Sequence, residues 1–297
     1  MDISTILGII LGFAVIIYGI GMESLGNFID TSSIFITVGG TFCALMASFP
    51  LKQLVKIGVH MKIVLFGNKF KPEEAINKLV DLAQLARKNG LLALEEQAGD
   101  IKDPFFKRGV LLVVDAMEAE KVRSLLEEEI AAMDQRHDSD VAFYEKGSIY
   151  APAFGMIGTL VGLINMLKEM NLDEGSSSSL GLSMATALVT TFYGCLLANL
   201  IFQPIAKKLR IRNDDEILYR QIIVEGVVGI QCGDNPKSLK EKLVSTLSQK
   251  QQNRMLNDAN AKKGGYNRTK KHRSSVTISA YVLSQSPCSE FFFLFFI

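Results

Sequence analysis

Four threonines stand in two of the chain's long apolar runs, where a hydroxyl has few partners and its position carries information. Thr159 lies in a run over residues 148–167, and Thr186, Thr190 and Thr191 lie in another over residues 180–204. A hydroxyl offers one proton and two lone pairs, so hydroxyls gathered between two helices could coordinate or pass a small cation. A membrane threonine also commonly bonds its own helix backbone. Small residues in the same runs (Gly155, Gly158 and Gly162, then Ala185, Ala187, Gly194 and Ala198) let helices approach closely in lipid. Two readings therefore stand at this point: a tightly packed helix pair, or a polar path lined by hydroxyls. Pro152 opens the first of these runs and Pro204 closes the second. Proline fits a helix start or stop, and beside Gly155 it could also serve as a bending point.

The runs contain no Lys, Arg, Asp, Glu or His in their interiors. Ion pathways through a bilayer are generally marked by an ionisable side chain. If this chain conducts ions, a partner chain is expected to supply the carboxylate. Cys43, Cys195, Cys232 and Cys288 lack metal-ligand spacing, and His60, His137 and His272 lie in polar stretches without a ligand pattern. With no nucleophile–base pair and no metal cluster, an enzyme is not expected. A net charge of +1 argues against general nucleic-acid binding.

The elements that must hold these residues follow from hydropathy. The mean hydropathy of +0.23 over 297 residues is high for a soluble domain. Four runs, residues 3–22, 32–50, 148–167 and 180–204, approach the roughly 20 apolar residues that cross a bilayer. The first has no basic region before it, which fits a retained helix better than a cleaved signal peptide. Of 32 Lys and Arg residues, 15 fall within residues 51–147 and 16 after Pro204, leaving only Lys168 elsewhere. By the positive-inside rule both termini and the central segment are cytoplasmic.

Residues 51–147 read as a helical domain. Pro72 followed by Glu73 and Glu74 makes a helix start, Gly90 a stop, and Asp103-Pro104 a second start. Residues 120–143 form a third amphipathic helix. Beyond the fourth span, residues 204–230 and 236–247 continue as helices. The expected fold is an all-α membrane protein with four transmembrane helices and a helical cytoplasmic domain between the second and third. Its divisions are residues 1–50, 51–147, 148–204, 205–254 and a tail, 255–297, expected to be disordered or artefactual. The seven apolar residues that end the tail are too few to span a bilayer.

Three motifs carry a family resemblance, two of them in the apolar runs. The run Ala151-Pro152-Ala153-Phe154-Gly155-Met156-Ile157-Gly158-Thr159-Leu160-Val161-Gly162-Leu163 resembles the third-span signature of the MotA/PomA flagellar stator proteins. Ala187-Leu188-Val189-Thr190-Thr191-Phe192-Tyr193-Gly194, continuing to Pro204, resembles their fourth. Leu85-Ala86-Arg87-Lys88-Asn89-Gly90-Leu91-Leu92-Ala93-Leu94-Glu95 is similar to their charged cytoplasmic motif. The match in span order runs from Met1 to about residue 247, and the tail departs from it.

The resemblance implies an inner-membrane ring, a pentamer, around two copies of a one-span MotB- or PomB-like partner. That partner carries the essential aspartate and binds peptidoglycan. Conformational coupling falls to Pro152 and Pro204, and contact with the rotor switch protein FliG to Arg87 and Glu95. The ion pathway falls to Thr159, Thr190 and Thr191. No cofactor is implied beyond the transported Na+ or H+, and threonine at positions 159 and 190 is similar to sodium-type members. An ExbB/TolQ-like energiser is the alternative, against which stand four spans rather than three and the Arg87–Glu95 motif. A self-contained channel is a further class, and the charge-free spans speak against it.

Overall fold

The computed structural model describes residues 3–67, 70–169 and 177–255. Every regular element among them is helical. Helix α1 spans Ile3–Ile20, and α2 spans Thr31–Ser48 with a π-helical turn at Phe35–Gly39. Asp30 caps α2, its carboxylate accepting from the Ser33 backbone N–H at 3.0 Å. Three helical stretches are long and apolar enough to cross a membrane: Thr31–Ser48, and parts of Ala119–Glu169 and Leu180–Gln231. At 18 residues, α1 reaches about 27 Å, slightly short of a ~30 Å hydrocarbon core.

Two short helices, α3 (Leu51–Val55) and α4 (Ile57–Phe66), follow α2 directly. Then come α5 (Pro72–Asn89), α6 (Leu94–Gly99), α7 (Pro104–Val114) and α8 (Ala119–Glu169). The starts and stops have the expected causes. Proline occupies the first turn of α5 and α7, where the N–H it lacks would have no partner. Asp103 caps α7, and Gly90 ends α5 with φ +85°, a region costly for any residue with a Cβ.

The amphipathic helix expected over 120–143 and the third span are one rod. Helix α8 runs 51 residues without a break, about 75 Å at 1.5 Å per residue, with Pro152 inside it. Pro152 therefore does not open a helix. Nor does Pro204 close one: α9 (Ser177–Leu196), a π turn (Leu197–Phe202) and α10 (Gln203–Gln231) form a second continuous rod. Helix α11 covers Pro236–Ser245. Met255 is helical and buried in the core; the rest of the expected tail lies outside the described residues.

Two cores hold the rods together. The larger joins α5, α7, α8, α10 and α11 through Leu79, Phe106, Leu126, Ile222, Val227 and Leu239. The smaller, around Leu45, Val64, Phe143, Tyr144, Phe202 and Leu209, joins α2, α4, α8 and the π turn into α10. Large apolar side chains of the membrane-type stretches, including Leu11, Leu160 and Leu188, face outward.

Candidate functional site

The pairing of α8 with α9 brings the threonines together. A methyl group at Gly155 would lie 3.0 Å from the Thr190 carbonyl oxygen, and one at Gly158 would run into the Thr190 side chain. At Gly162 it would lie 2.7 Å from Ala187 Cβ. The glycine face of α8 is therefore filled by α9 of the same chain. In that seam Thr159 Oγ1 lies 2.5 Å from Thr191 Oγ1, 3.0 Å from the Ala187 carbonyl and 3.1 Å from the Gly155 carbonyl. Four oxygens thus gather at one point on the edge of the seam, where Thr191 is exposed.

Thr190 reaches this cluster only through the shared Ala187 carbonyl. It is fully buried, its hydroxyl donating to the Ala187 carbonyl at 2.9 Å, and it packs inward over Gly158. Thr159 and Thr191 share a site, and Thr190 stands behind it. The glycines pack the helices, as one reading of the sequence expects, and two hydroxyls stand at the edge of that packing.

The two prolines lie toward the other end of the same seam. Gly194 faces the backbone of Ala151 and Pro152, with its missing methyl 2.6 Å from the Ala151 carbonyl oxygen. Inside α8, Pro152 deprives the Ser148 carbonyl of its helical donor. The π turn over Leu197–Phe202 widens the second rod just before Pro204, where the proline ring would otherwise meet the Leu200 carbonyl.

Arg87 and Glu95 lie far along the helical bundle built on the larger core. Phe70 packs on Tyr219 with ring centroids 5.3 Å apart, and Leu79 packs on Gly226, so α5 runs alongside α10 away from the apolar stretches. Arg87, in the last turn of α5, and Glu95, in the first turn of α6, flank Gly90 and are exposed. Neither has an ion pair among the described residues. Leu92 stands between them and is 74% exposed.

A polar joint at the foot of the apolar stretches carried no sequence signal. His60 of α4, 4% exposed, lies 3.3 Å through Nε2 from Asp140 and 3.1 Å through Nδ1 from the Tyr144 hydroxyl of α8. Burial pushes the Tyr144 hydroxyl up to about 12, and Asp140 adds to the shift. Nearby, His137 Nδ1 donates to Asn213 Oδ1 at 2.8 Å, and Asn213 Nδ2 donates to Asp134. Both histidines line a cavity of about 520 Å³ with Lys56, Asp140, Arg212 and Glu216. Among the described residues no group of three or more His, Cys, Asp or Glu side chains is placed to hold a metal ion.

Known proteins resemble this chain in sequence and in fold. Motility protein A of Borreliella burgdorferi is 40% identical to this chain, over 86% of this chain and 97% of its own length. A model of the MotA/TolQ/ExbB proton channel family matches residues 97–222.

The chain belongs to the MotA/TolQ/ExbB family.

The uncharacterized protein YtxD of Bacillus subtilis is 41% identical, covering 89% of this chain and 97% of the relative. A solved structure of the flagellar MotAB stator complex from B. subtilis superposes with a TM-score of 0.76 at 31% identity, covering 84% and 98% of the two chains. Membership of the MotA/TolQ/ExbB family and the long apolar helices together make this a membrane protein. The residues matched by the family model include both prolines and all three candidate threonines; Arg87 and Glu95 lie just before them.

Proposed function

We propose that this chain is the ion-channel subunit of a flagellar motor stator. With a MotB- or PomB-like partner it conducts a cation down its gradient and converts the flow into torque on the rotor. The observation that carries the reading is the Thr159–Thr191 oxygen cluster, set in a charge-free seam and joined by unbroken helices to an exposed charged tip. The interiors of the apolar runs hold no carboxylate, so a partner would supply it, and the superposed B. subtilis stator is a MotAB complex.

In this proposal four spans cross the inner membrane: α1, α2, residues 148–167 of α8, and the second rod as far as Pro204. The termini and residues 51–147 lie in the cytoplasm, and residues 205–254 continue the cytoplasmic bundle. Copies of the chain form a ring, a pentamer, around the partner helices. One elementary charge crossing 100 mV releases about 2.3 kcal/mol, enough to tip packed helices between two nearly equal arrangements. Pro152 and Pro204 are the points where the rods yield, and Arg87 and Glu95 engage charges on FliG. No chemical step and no cofactor is involved beyond the moving ion.

The test is complementation. Expressed together with its one-span partner in a host lacking stators, the full chain should restore rotation, while either subunit alone should not. Conductance from this chain without any partner would overturn the reading.

A further inference from the structure

Helix α2 carries three hydroxyls at four-residue intervals, Ser33, Thr37 and Thr41, and all are at most 1% exposed. Four-residue spacing puts them on one face of the helix. That face meets α9: Ser33 Oγ is 3.4 Å from the Thr186 carbonyl and Thr37 Oγ1 is 3.3 Å from the Thr190 carbonyl. Thr41 instead bonds within α2, to the Thr37 carbonyl at 2.6 Å. The Thr190 carbonyl oxygen is thus held from two sides, by the Thr37 hydroxyl and by the bare Cα face of Gly155.

Thr190 and Thr191 are consecutive, so they point about 100° apart around α9. Whatever fixes Thr190 inward fixes Thr191 at the seam edge beside Thr159. In lipid a hydroxyl has no water to bond, so the Thr37 proton goes to a carbonyl or to nothing. The π turn over Phe35–Gly39 surrounds Thr37 and offsets the α2 ladder where this contact is made.

We infer that Thr37 is a positioning residue for the ion path, holding α9 in the rotation that presents the Thr191 hydroxyl to Thr159. The inference rests on the proposal that the Thr159–Thr191 cluster lies on that path. It requires no contact between Thr37 and the ion.

The experiment uses the full chain with its partner subunit in swimming cells. Speed is recorded against external sodium at fixed pH, and against pH at fixed sodium. T37V removes the hydroxyl and keeps the shape. It should shift the ion concentration at half-maximal speed by about 3- to 15-fold, the range of interhelical hydrogen bonds in membranes. Maximal speed and the amount of chain in the membrane should change less than twofold. T37S should restore the wild-type value, and T41V, which breaks only a bond within α2, should leave it unchanged.

A merely structural role would lower the amount of chain and maximal speed without moving the half-maximal concentration. T37A, which lacks the hydroxyl and adds no bulk, carries the same expectation if T37V fails to reach the membrane. An unshifted T37V and T37A beside a shifted T191A would remove Thr37 from the path's geometry. An unshifted T191A would instead remove the ion path from this seam, and the role of Thr37 with it.

Discussion

His60 and Asp140 meet across the gap between α4 and α8, Nε2 to Oδ2 at 3.3 Å, with Tyr144 on the other ring nitrogen. Neutral His60 can donate from Nε2 to the carboxylate while Nδ1 accepts from the tyrosine. Lys56 shares Asp140, at 3.3 Å, and His137, Arg212 and Glu216 face the same cavity from α8 and α10. Burial lowers the His60 pKa from its usual 6.5, and Asp140 opposes the shift without cancelling it. The folded state therefore resists the proton more than the unfolded state does. Stability is full above the unfolded value near pH 6.5 and falls as the pH drops below it. The wild-type melting temperature should fall between about pH 7 and pH 5.5, and H60N should flatten that slope. Parallel slopes in the two proteins would contradict the assignment.

The larger core contains a second pH-dependent group with a different window. Arg123 of α8 lies 2.6 Å from Glu225 of α10, and Lys242 of α11 lies 2.7 Å from the same carboxylate. The Arg123 hydrogen bond is the main reason that the Glu225 pKa is lowered to about 2. A depressed carboxylate contributes stability that is present above its unfolded value near 4.5 and is lost as the pH falls toward 2. E225Q should cost about 1–2 kcal/mol near neutral pH, discounted for partial exposure. It should also lose part of the acid sensitivity between pH 4.5 and 2. An unchanged acid-unfolding curve in E225Q would count against the triad.

Several elements were readable in the sequence because their causes are local. Pro72, Gly90, Asp103-Pro104 and Pro236 each fix the backbone within a turn of themselves, and helices begin or end at each. The glycine run of α8 was readable as a packing face for the same reason. What sequence did not show depends on a neighbour far along the chain. Pro152 reads as a boundary by propensity, yet packing of α8 against α9 and α10 carries the helix through it. Ser33 and Thr37 meet α9 only through the Thr186 and Thr190 carbonyls, each 153 residues further along the chain. His60 likewise depends on Asp140. Thr190 and Thr191 are equivalent by type and adjacent in sequence, and only the rotation of α9 separates them.

The contact between α8 and α9 near the proline allows a sharp stability test. At Gly194 an added methyl would meet the Ala151 carbonyl at 2.6 Å and Pro152 Cα at 3.1 Å, both backbone atoms that cannot turn aside. At Gly8 the same methyl meets nothing within 4 Å. G194A should destabilise the membrane-embedded fold by about 1–3 kcal/mol, the usual range for overpacking. G8A should be neutral or slightly stabilising. Thermal aggregation of detergent-solubilised protein compares the two, and equal behaviour would contradict the close approach.

The exposed tip should respond to charge and not to stability. Because Arg87 and Glu95 are exposed and make no ion pair among the described residues, R87E should change folding stability by less than about 0.5 kcal/mol. Motility should fall severalfold while the chain still enters the membrane, with partial rescue by reversing a rotor charge. Normal swimming in the R87E/E95K double variant without a rotor change would remove both residues from torque transfer.

The last prediction concerns which ion moves. Sodium is a hard cation that prefers oxygen ligands. The seam gathers Thr159 Oγ1, Thr191 Oγ1 and the carbonyls of Ala187 and Gly155 within about one ligand shell, and a partner carboxylate would complete the set. A proton needs the carboxylate and a water path, and gains little from two hydroxyls already bonded to each other and to carbonyls. On this chemistry we propose sodium as the moving ion. Swimming speed should rise with external sodium at constant ionic strength and persist with a protonophore at neutral pH. T159A and T191V should each raise the sodium concentration at half-maximal speed by about 3- to 10-fold, the equivalent of ~1 kcal/mol. Speed that ignores sodium and collapses with the protonophore would assign the path to protons and leave the stator proposal in place. The two threonines would then act as helix-packing residues that happen to face the path.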